Sequence, residues 1–429
     1  MPLLRDARRL ALSRLVLPFG IAFLALFPAT DVNAQPQTLT LSDVLARTID
    51  FDPTARAGAA RIRAAEAHLD QAGTRPNPVL GVEMEDFGGS GNYSRFDETS
   101  TTLYYEELWE RGGKRKARTA IAGAELALAE RRRIANHLDL AADVQAAWVE
   151  ALAAQAAAAL ADDRLAAVKQ LEGEFRRRAE RALDPQFVHE RVLATLSQAQ
   201  IDSEQAARSA RAARATLASY WGGDGDFRLD ETEFTRLAAR EARDDDSADL
   251  ALLAAARETA AARVRFERAN SVQDVSLRAG LRHFSADDDV AVVFGVSIPL
   301  GVYDTNRGNI ERAQAEQLAA EIDIAAARNR RQREIDRLTV ARSAGADEIG
   351  RLDAEVLPRL ERAVALVREG FNRGGTAFTL LEVTEAHRAL TEARSRRIEL
   401  LRRFHLDGAR LDRLSDSHVS LLSNTEHKQ

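Results

Sequence analysis

The chain has 429 residues, a net charge of −6 and no cysteine. The lack of cysteine excludes disulfides, thiolate metal sites, a cysteine nucleophile and a cysteine-linked lipid anchor. The acidic balance argues against nucleic-acid binding, and the abundance of alanine, leucine, arginine and glutamate is typical of long helices or coiled coils.

The first 34 residues have the pattern of an export signal. A start with four arginines is followed by an apolar run over residues 15–27, and small residues end the segment at 32–34. The apolar run is too short to span a bilayer, so we predict a signal peptide over residues 1–34, typical of bacterial export. We find no later apolar run of about 18 residues and expect any membrane-embedded part to be made of strands.

Residues 35–221 form a first structural unit in the predicted organisation. The predicted elements are a helical start, a hairpin over residues 79–109, a long helix over 112–182 and a returning helix over 185–221. The hairpin follows from apolar residues that alternate with polar or small ones. The long helix would span roughly 100 Å, which suits a coiled coil or a tunnel better than a globular core.

The same order of elements recurs after an acidic segment, residues 222–246, which we interpret as a linker or small side domain. The second unit, residues 247–411, has a starting helix, a hairpin over 275–300, a long helix over 306–373 and a returning helix over 377–411. Pro358 should kink the second long helix, and residues 412–429 form a polar tail. A duplication of this length indicates a repeated architecture.

Each hairpin strand has the length that crosses a bilayer when tilted, and one face of each is apolar. The residues predicted to face lipid are Leu80, Val82, Met84, Val275, Leu277, Leu281, Val292, Phe294 and Val296. On this pattern alone, a soluble antiparallel hairpin with one wet face remains an alternative. Four strands cannot close a barrel, and open edges do not persist in lipid, so membrane strands would require association, with three copies supplying twelve strands.

No catalytic or metal-binding constellation is evident. The stretch Arg111-Gly112-Gly113-Lys114-Arg115 resembles a phosphate-binding loop, but Leu108 stands where the first glycine is needed and Arg115 where Ser or Thr is needed. The histidines are scattered singly, and His387 is expected at the surface of the returning helix. We therefore predict no cofactor and no enzymatic activity.

Three stretches then carry a family resemblance. They are Ile298-Pro299-Leu300 with Tyr303-Asp304-Thr305-Asn306-Arg307-Gly308-Asn309, Arg368-Glu369-Gly370-Phe371 with Leu380-Leu381-Glu382-Val383-Thr384-Glu385-Ala386-His387-Arg388, and Glu110-Arg111-Gly112-Gly113-Lys114-Arg115. With the duplicated units, they resemble the TolC family of outer-membrane efflux proteins, and the last resembles its heavy-metal-efflux, CzcC-like branch.

The resemblance implies a mainly helical fold with a small membrane β part. It implies a homotrimer with a twelve-strand barrel in the bacterial outer membrane and an α-helical coiled-coil tunnel in the periplasm. The implied function is that of a passive exit duct, with a periplasmic adaptor and an inner-membrane pump of the resistance–nodulation–division type as partners. The branch resemblance suggests metal cations as cargo.

The resemblance also implies site residues. Glu382 and Glu385 match the acidic residues that ring the closed periplasmic entrance in the family; the alternative is a solvated pair favoured by the helix dipole. The adaptor would dock at the two helix–turn tips, at Leu183, Asp184, Arg373, Gly374 and Gly375.

The main rival prediction is a soluble periplasmic coiled-coil adaptor or scaffold protein. Such an adaptor should show a lipoyl-like β domain and a single helical hairpin. The chain instead shows two helical hairpins and no extended β region, which favours the duct.

Overall fold

The computed structural model describes residues 38–181, 185–238, 247–372 and 380–418. The helices there are α1 (Leu41–Phe51), α2 (Pro53–Ala72), α3 (Lys114–Glu180), α4 (Gln186–Ser219), α5 (Thr232–Thr235), α6 (Ala248–Asn270), α7 (Arg307–Arg351), α8 (Leu357–Asn372) and α9 (Leu380–Leu414). The strands are β1 (Thr38–Leu39), β2 (Val79–Glu85), β3 (Ser100–Trp109), β4 (Arg228–Leu229), β5 (Val275–Phe284) and β6 (Asp289–Ser297). The predicted signal peptide lies outside the described residues.

The starts of the helices follow from local side-chain chemistry. Thr40 and Asp43 form a capping box at α1, and Asp52 caps α2 with Pro53 in its first turn. The two long helices begin differently, since α3 follows Gly113 and α7 follows Asn306, both with left-handed backbone. The Asn306 side chain compensates for the strain by donating to the Glu267 carbonyl at 2.7 Å.

The main hydrophobic core lies where α3 packs against α1, α9 and the short elements after α4. Trp148 and Leu152 of α3 and Leu401 and Phe404 of α9 are buried there. Alanines such as Ala151 and Ala153 are buried between them, and their small side chains let the helix backbones approach closely.

The expectation that no later segment could span a membrane by composition is wrong for α3. This helix contains an 18-residue stretch long and apolar enough to cross one, and 39% of the stretch is buried inside the chain. Helix α3 packs against α4, α6 and α9. A helix in the core of a protein can meet the same criteria of length and composition as one that spans a membrane.

The segment predicted as a linker contributes to this core in its described part, residues 222–238. Strand β4 pairs in parallel with β1, through Thr38 with Arg228 and Leu39 with Leu229. Phe227, Leu229 and Phe234 are buried in the main core. The segment therefore attaches the start of the first unit to its end.

The helical path from α7 to α8 passes through a π-helical turn, Leu352–Val356, which ends two positions before Pro358. Proline lacks an N–H group, and its ring crowds the preceding turn of an α-helix. A wider π-helical turn relieves that crowding. The local distortion expected at Pro358 therefore takes the form of a π turn.

The four longer strands form one antiparallel sheet in the order β2-β3-β5-β6. The first hairpin is joined to the second by β3 and β5, whose register pairs Glu106 with Arg278 and Trp109 with Val275. Strands β2 and β6 are the two edges of this sheet. The two units therefore make a single surface.

Candidate functional site

One face of the sheet is apolar and exposed. The register places Val82, Leu103, Leu281 and Val292 in one row across it, and Leu80, Tyr105, Ala279 and Phe294 in the next. All nine residues predicted to face lipid lie on this face, because directly opposed residues of an antiparallel pair share a face. Their contact with lipid stays a prediction.

The exposure of this face is large for apolar side chains. Val292 is 80% exposed, Leu80 73% and Phe294 70%. The polar exceptions on the face are Glu107, His283 and Thr101, in rows away from its centre. A contiguous exposed apolar surface of this kind marks contact with a membrane or another protein.

The opposite face of the sheet is charged. It carries Glu83, Glu85, Glu106, Asp289, Arg278 and Arg282. Arg282 donates to the Thr102 hydroxyl at 2.8 Å and lies 2.6 Å from a Glu85 oxygen. The sheet thus has one face suited to hydrocarbon and one suited to water, as the strands of a membrane barrel require.

The glycine-rich junction after β3 is a structural joint between the two units. Asp274 accepts hydrogen bonds from the Arg111 amide at 2.9 Å and from the Lys114 ammonium at 2.7 Å. Partial burial alone would raise the pKa of Asp274, but the bonds from Lys114 and Arg111 lower it overall. Lys114 is therefore committed to an ion pair, in agreement with the rejection of a phosphate-binding loop.

Glu382 and Glu385 lie at the start of α9, far along the chain from the strands of the sheet. Their neighbours Leu380 and Val383 are buried with Leu171, Phe175, Val192 and Phe371 in a second apolar cluster. Glu382 and Glu385 are exposed on the other side of the same turn. The two carboxylates are therefore presented outward from a packed base.

Several polar side chains lie beside the second apolar cluster. Arg368 donates to Gln170 at 3.0 Å and approaches Glu174 at 3.6 Å. His387 is half-buried rather than at the surface as expected, because α9 packs it toward α3 and α8. Burial lowers the pKa of His387, the charge of Arg368 lowers it further, and Glu174 opposes them.

The predicted docking residues Leu183, Asp184, Arg373, Gly374 and Gly375 lie outside the described residues. Across residues 38–181, 185–238, 247–372 and 380–418, no group of three or more His, Asp or Glu side chains is placed to hold a metal ion.

A groove of about 540 Å³ lies between α3, α4 and α9. Its charged side chains neutralise one another, since Arg164 lies 2.6 Å from Asp202 and Arg402 contacts Glu150 and Glu399. Hydrogen bonding from Arg402 lowers the pKa of Glu399 to about 2, against the effect of partial burial. The charged side chains of this groove are therefore already paired with one another.

Comparison with known proteins gives a relative of matching length. No family model matches the chain. The chain is 28% identical to the cobalt-zinc-cadmium resistance protein CzcC of Cupriavidus metallidurans, over 94% of this chain and 99% of that protein.

Solved structures match over most of the chain. CusC, described for its folding and transmembrane channel formation, has a TM-score of 0.73 at 17% identity, covering 87% of this chain and 92% of that one. The outer membrane protein VceC of Vibrio cholerae has a TM-score of 0.71 at 20% identity, covering 87% and 96%. The predicted mainly helical fold is confirmed, and the likenesses agree with the predicted outer-membrane location. The chain is a relative of CzcC and has the fold of the TolC-family channels.

Proposed function

We propose that the chain is one subunit of a homotrimeric outer-membrane channel, the exit duct of a tripartite efflux system. The channel conducts its substrate passively to the exterior. Its cargo is metal cations, since the relative that matches nearly the whole chain is named for resistance to cobalt, zinc and cadmium.

The observation that carries this proposal is the single four-stranded sheet with two opposite faces. Its apolar face suits lipid, its charged face suits a water-filled lumen, and its edge strands β2 and β6 have no partner strand within the described residues. Unpaired edges are too costly in hydrocarbon, so β6 of one copy pairs with β2 of the next. Three copies close a barrel of twelve strands.

The helices supply the rest of the conduit. The 67 residues of α3 span about 100 Å, long enough to carry the lumen far into the periplasm. The helix pairs α3–α4 and α8–α9 of three copies form its wall. The partners of the proposed duct are a periplasmic adaptor, docking at the tips near residues 183–184 and 373–375, and an inner-membrane pump of the resistance–nodulation–division type.

Glu382 and Glu385 form the periplasmic gate in this proposal. Both are exposed at the start of α9, and a trimer brings three copies of each to a narrow entrance. Carboxylates that converge in a narrow pore attract cations and repel one another, so they set both selectivity and ease of opening. The packed base of Leu380 and Val383 keeps them in position.

Fractionation and conductance test the proposal. The full chain, expressed in a Gram-negative host, should remain in the outer-membrane fraction, run as a trimer after detergent extraction and form pores in planar bilayers. A monomer recovered from periplasmic extract would instead support the soluble adaptor. Loss of zinc or cobalt tolerance on gene deletion, restored by the full chain, tests the cargo separately.

A further inference from the structure

One side chain on the charged face of the sheet links three strands. From β5, Arg278 donates through Nε and Nη2 to one Glu106 oxygen of β3, at 3.1 and 3.0 Å. Its Nη1 donates to Glu83 of β2 at 3.2 Å. One guanidinium group therefore holds two carboxylates that no other cation on this face contacts among the described residues.

The neighbouring row fixes the guanidinium in place. Tyr104 lies between Gly81 and Gly280, and a Cβ atom at Gly81 would overlap the Tyr104 ring. The absence of a side chain at Gly81 makes room for the ring, and Arg278 stacks on it with Cζ 4.0 Å from the ring centroid. The cation is therefore positioned by the sheet as well as by its ion pairs.

We propose that Arg278 is a built-in counter-cation that prevents Glu83 and Glu106 from binding the divalent metal ions conducted by the channel. This inference rests on the proposed function. Carboxylate oxygens are ligands for divalent cations, and two that converge on one point are the beginning of a metal site. Conduction requires binding weak enough for the ion to leave. Arginine stays protonated, so it occupies that point permanently.

The charge of the face supports this role. It carries four carboxylates and two guanidinium groups on the strands, a net charge of −2 per chain. The face is thus attractive to cations overall, while Arg278 already occupies the point between Glu83 and Glu106. Arg282, the other arginine, contacts one carboxylate, Glu85, and a hydroxyl. Removing Arg282 therefore leaves no comparable pair.

The test is block of potassium current by Zn²⁺ in planar bilayers containing the purified full chain. For Arg278→Gln, the half-blocking Zn²⁺ concentration should fall at least about tenfold, because two carboxylates become available to one ion. Arg278→Lys should keep wild-type sensitivity. The triple variant Arg278→Gln, Glu83→Gln, Glu106→Gln should regain it. Arg282→Gln, which loses the same charge, is the matched control and should shift much less.

A second variant keeps the inference testable if Arg278→Gln does not assemble. Glu83→Gln with Glu106→Gln leaves the guanidinium uncompensated and should shift the K⁺/Cl⁻ permeability ratio toward chloride by about twofold or more. Conducting pores with unchanged Zn²⁺ block in Arg278→Gln, or an unchanged permeability ratio in the double variant, would overturn the inference alone. A wild-type chain that forms no pores would overturn the proposed function itself.

Discussion

Adjacent residues of β6 should differ in how strongly the same substitution destabilises the protein. Val292 lies in a central row of the apolar face and is 80% exposed, whereas Val293 is half-buried on the charged face. If the apolar face met water, Val292→Arg would change the free energy of unfolding by at most about 0.5 kcal/mol. If it meets lipid near the bilayer midplane, the same change costs about 2–4 kcal/mol per subunit.

Val293→Arg is the matched control. It introduces the same side chain one position away, facing the lumen of the proposed barrel, where substitutions alter selectivity more than stability. We expect its cost to stay below about 1 kcal/mol, because the guanidinium remains hydrated.

The assay is urea-induced unfolding of each variant in lipid vesicles, together with the yield of trimer from outer membranes. The wild-type chain and Val293→Arg should unfold at similar midpoints, and Val292→Arg at a clearly lower one. Equal stability of all three, or a greater loss for Val293→Arg, would refute the assignment of the faces and with it the membrane barrel.

Three further predictions concern the helices. Glu382→Gln combined with Glu385→Gln should raise conductance or alter cation preference in planar bilayers, whereas Glu392→Gln, farther along α9, should not; unchanged conductance and selectivity would contradict the gate. Phe371→Ala removes a ring contact with Phe175, whose centroid lies 4.8 Å away, and should lower the free energy of unfolding by about 3–5 kcal/mol. The loss should be seen as faster amide exchange in residues 380–390. Unaltered exchange would show that the second apolar cluster does not support the gate. The pKa of Glu399 is lowered from 4.5 to about 2, so its stabilising effect is complete above pH 4.5 and is lost as the pH falls through about 2. Glu399→Gln should therefore reduce the acid sensitivity of thermal unfolding in that window, by less than about 1 kcal/mol because the ion pairs are partly exposed; equal sensitivity in both proteins would show that the pairs contribute nothing.

Periodicity made the order of the main elements predictable. Alternation with period two indicated the strands around Val82 and Val292, and helical spacing without proline indicated α3. The face of each strand followed from the same alternation. The pairing of β3 with β5 was not predictable from local pattern, because register between distant strands is set by packing and not by adjacent residues.

The short elements were not predictable from the sequence for a related reason. Leu229 and Phe234 lie in elements of two and four residues, which are too short to show any period. The left-handed residue that precedes α3 is Gly113, whereas the one that precedes α7 is Asn306. Asparagine can adopt this conformation, so glycine was not a reliable marker of the joint.

The pairing of β3 with β5 has a consequence for biogenesis. Glu106 and Arg278 stand 172 positions apart in the chain, so the sheet cannot be completed until the whole first unit and the second hairpin have been synthesised. Contacts between residues this far apart in the chain form slowly. Until β3 pairs with β5, unpaired strand edges and apolar side chains are exposed to water. If the chain is exported to the outer membrane as proposed, newly made chains should aggregate unless a holding chaperone shields them on the way.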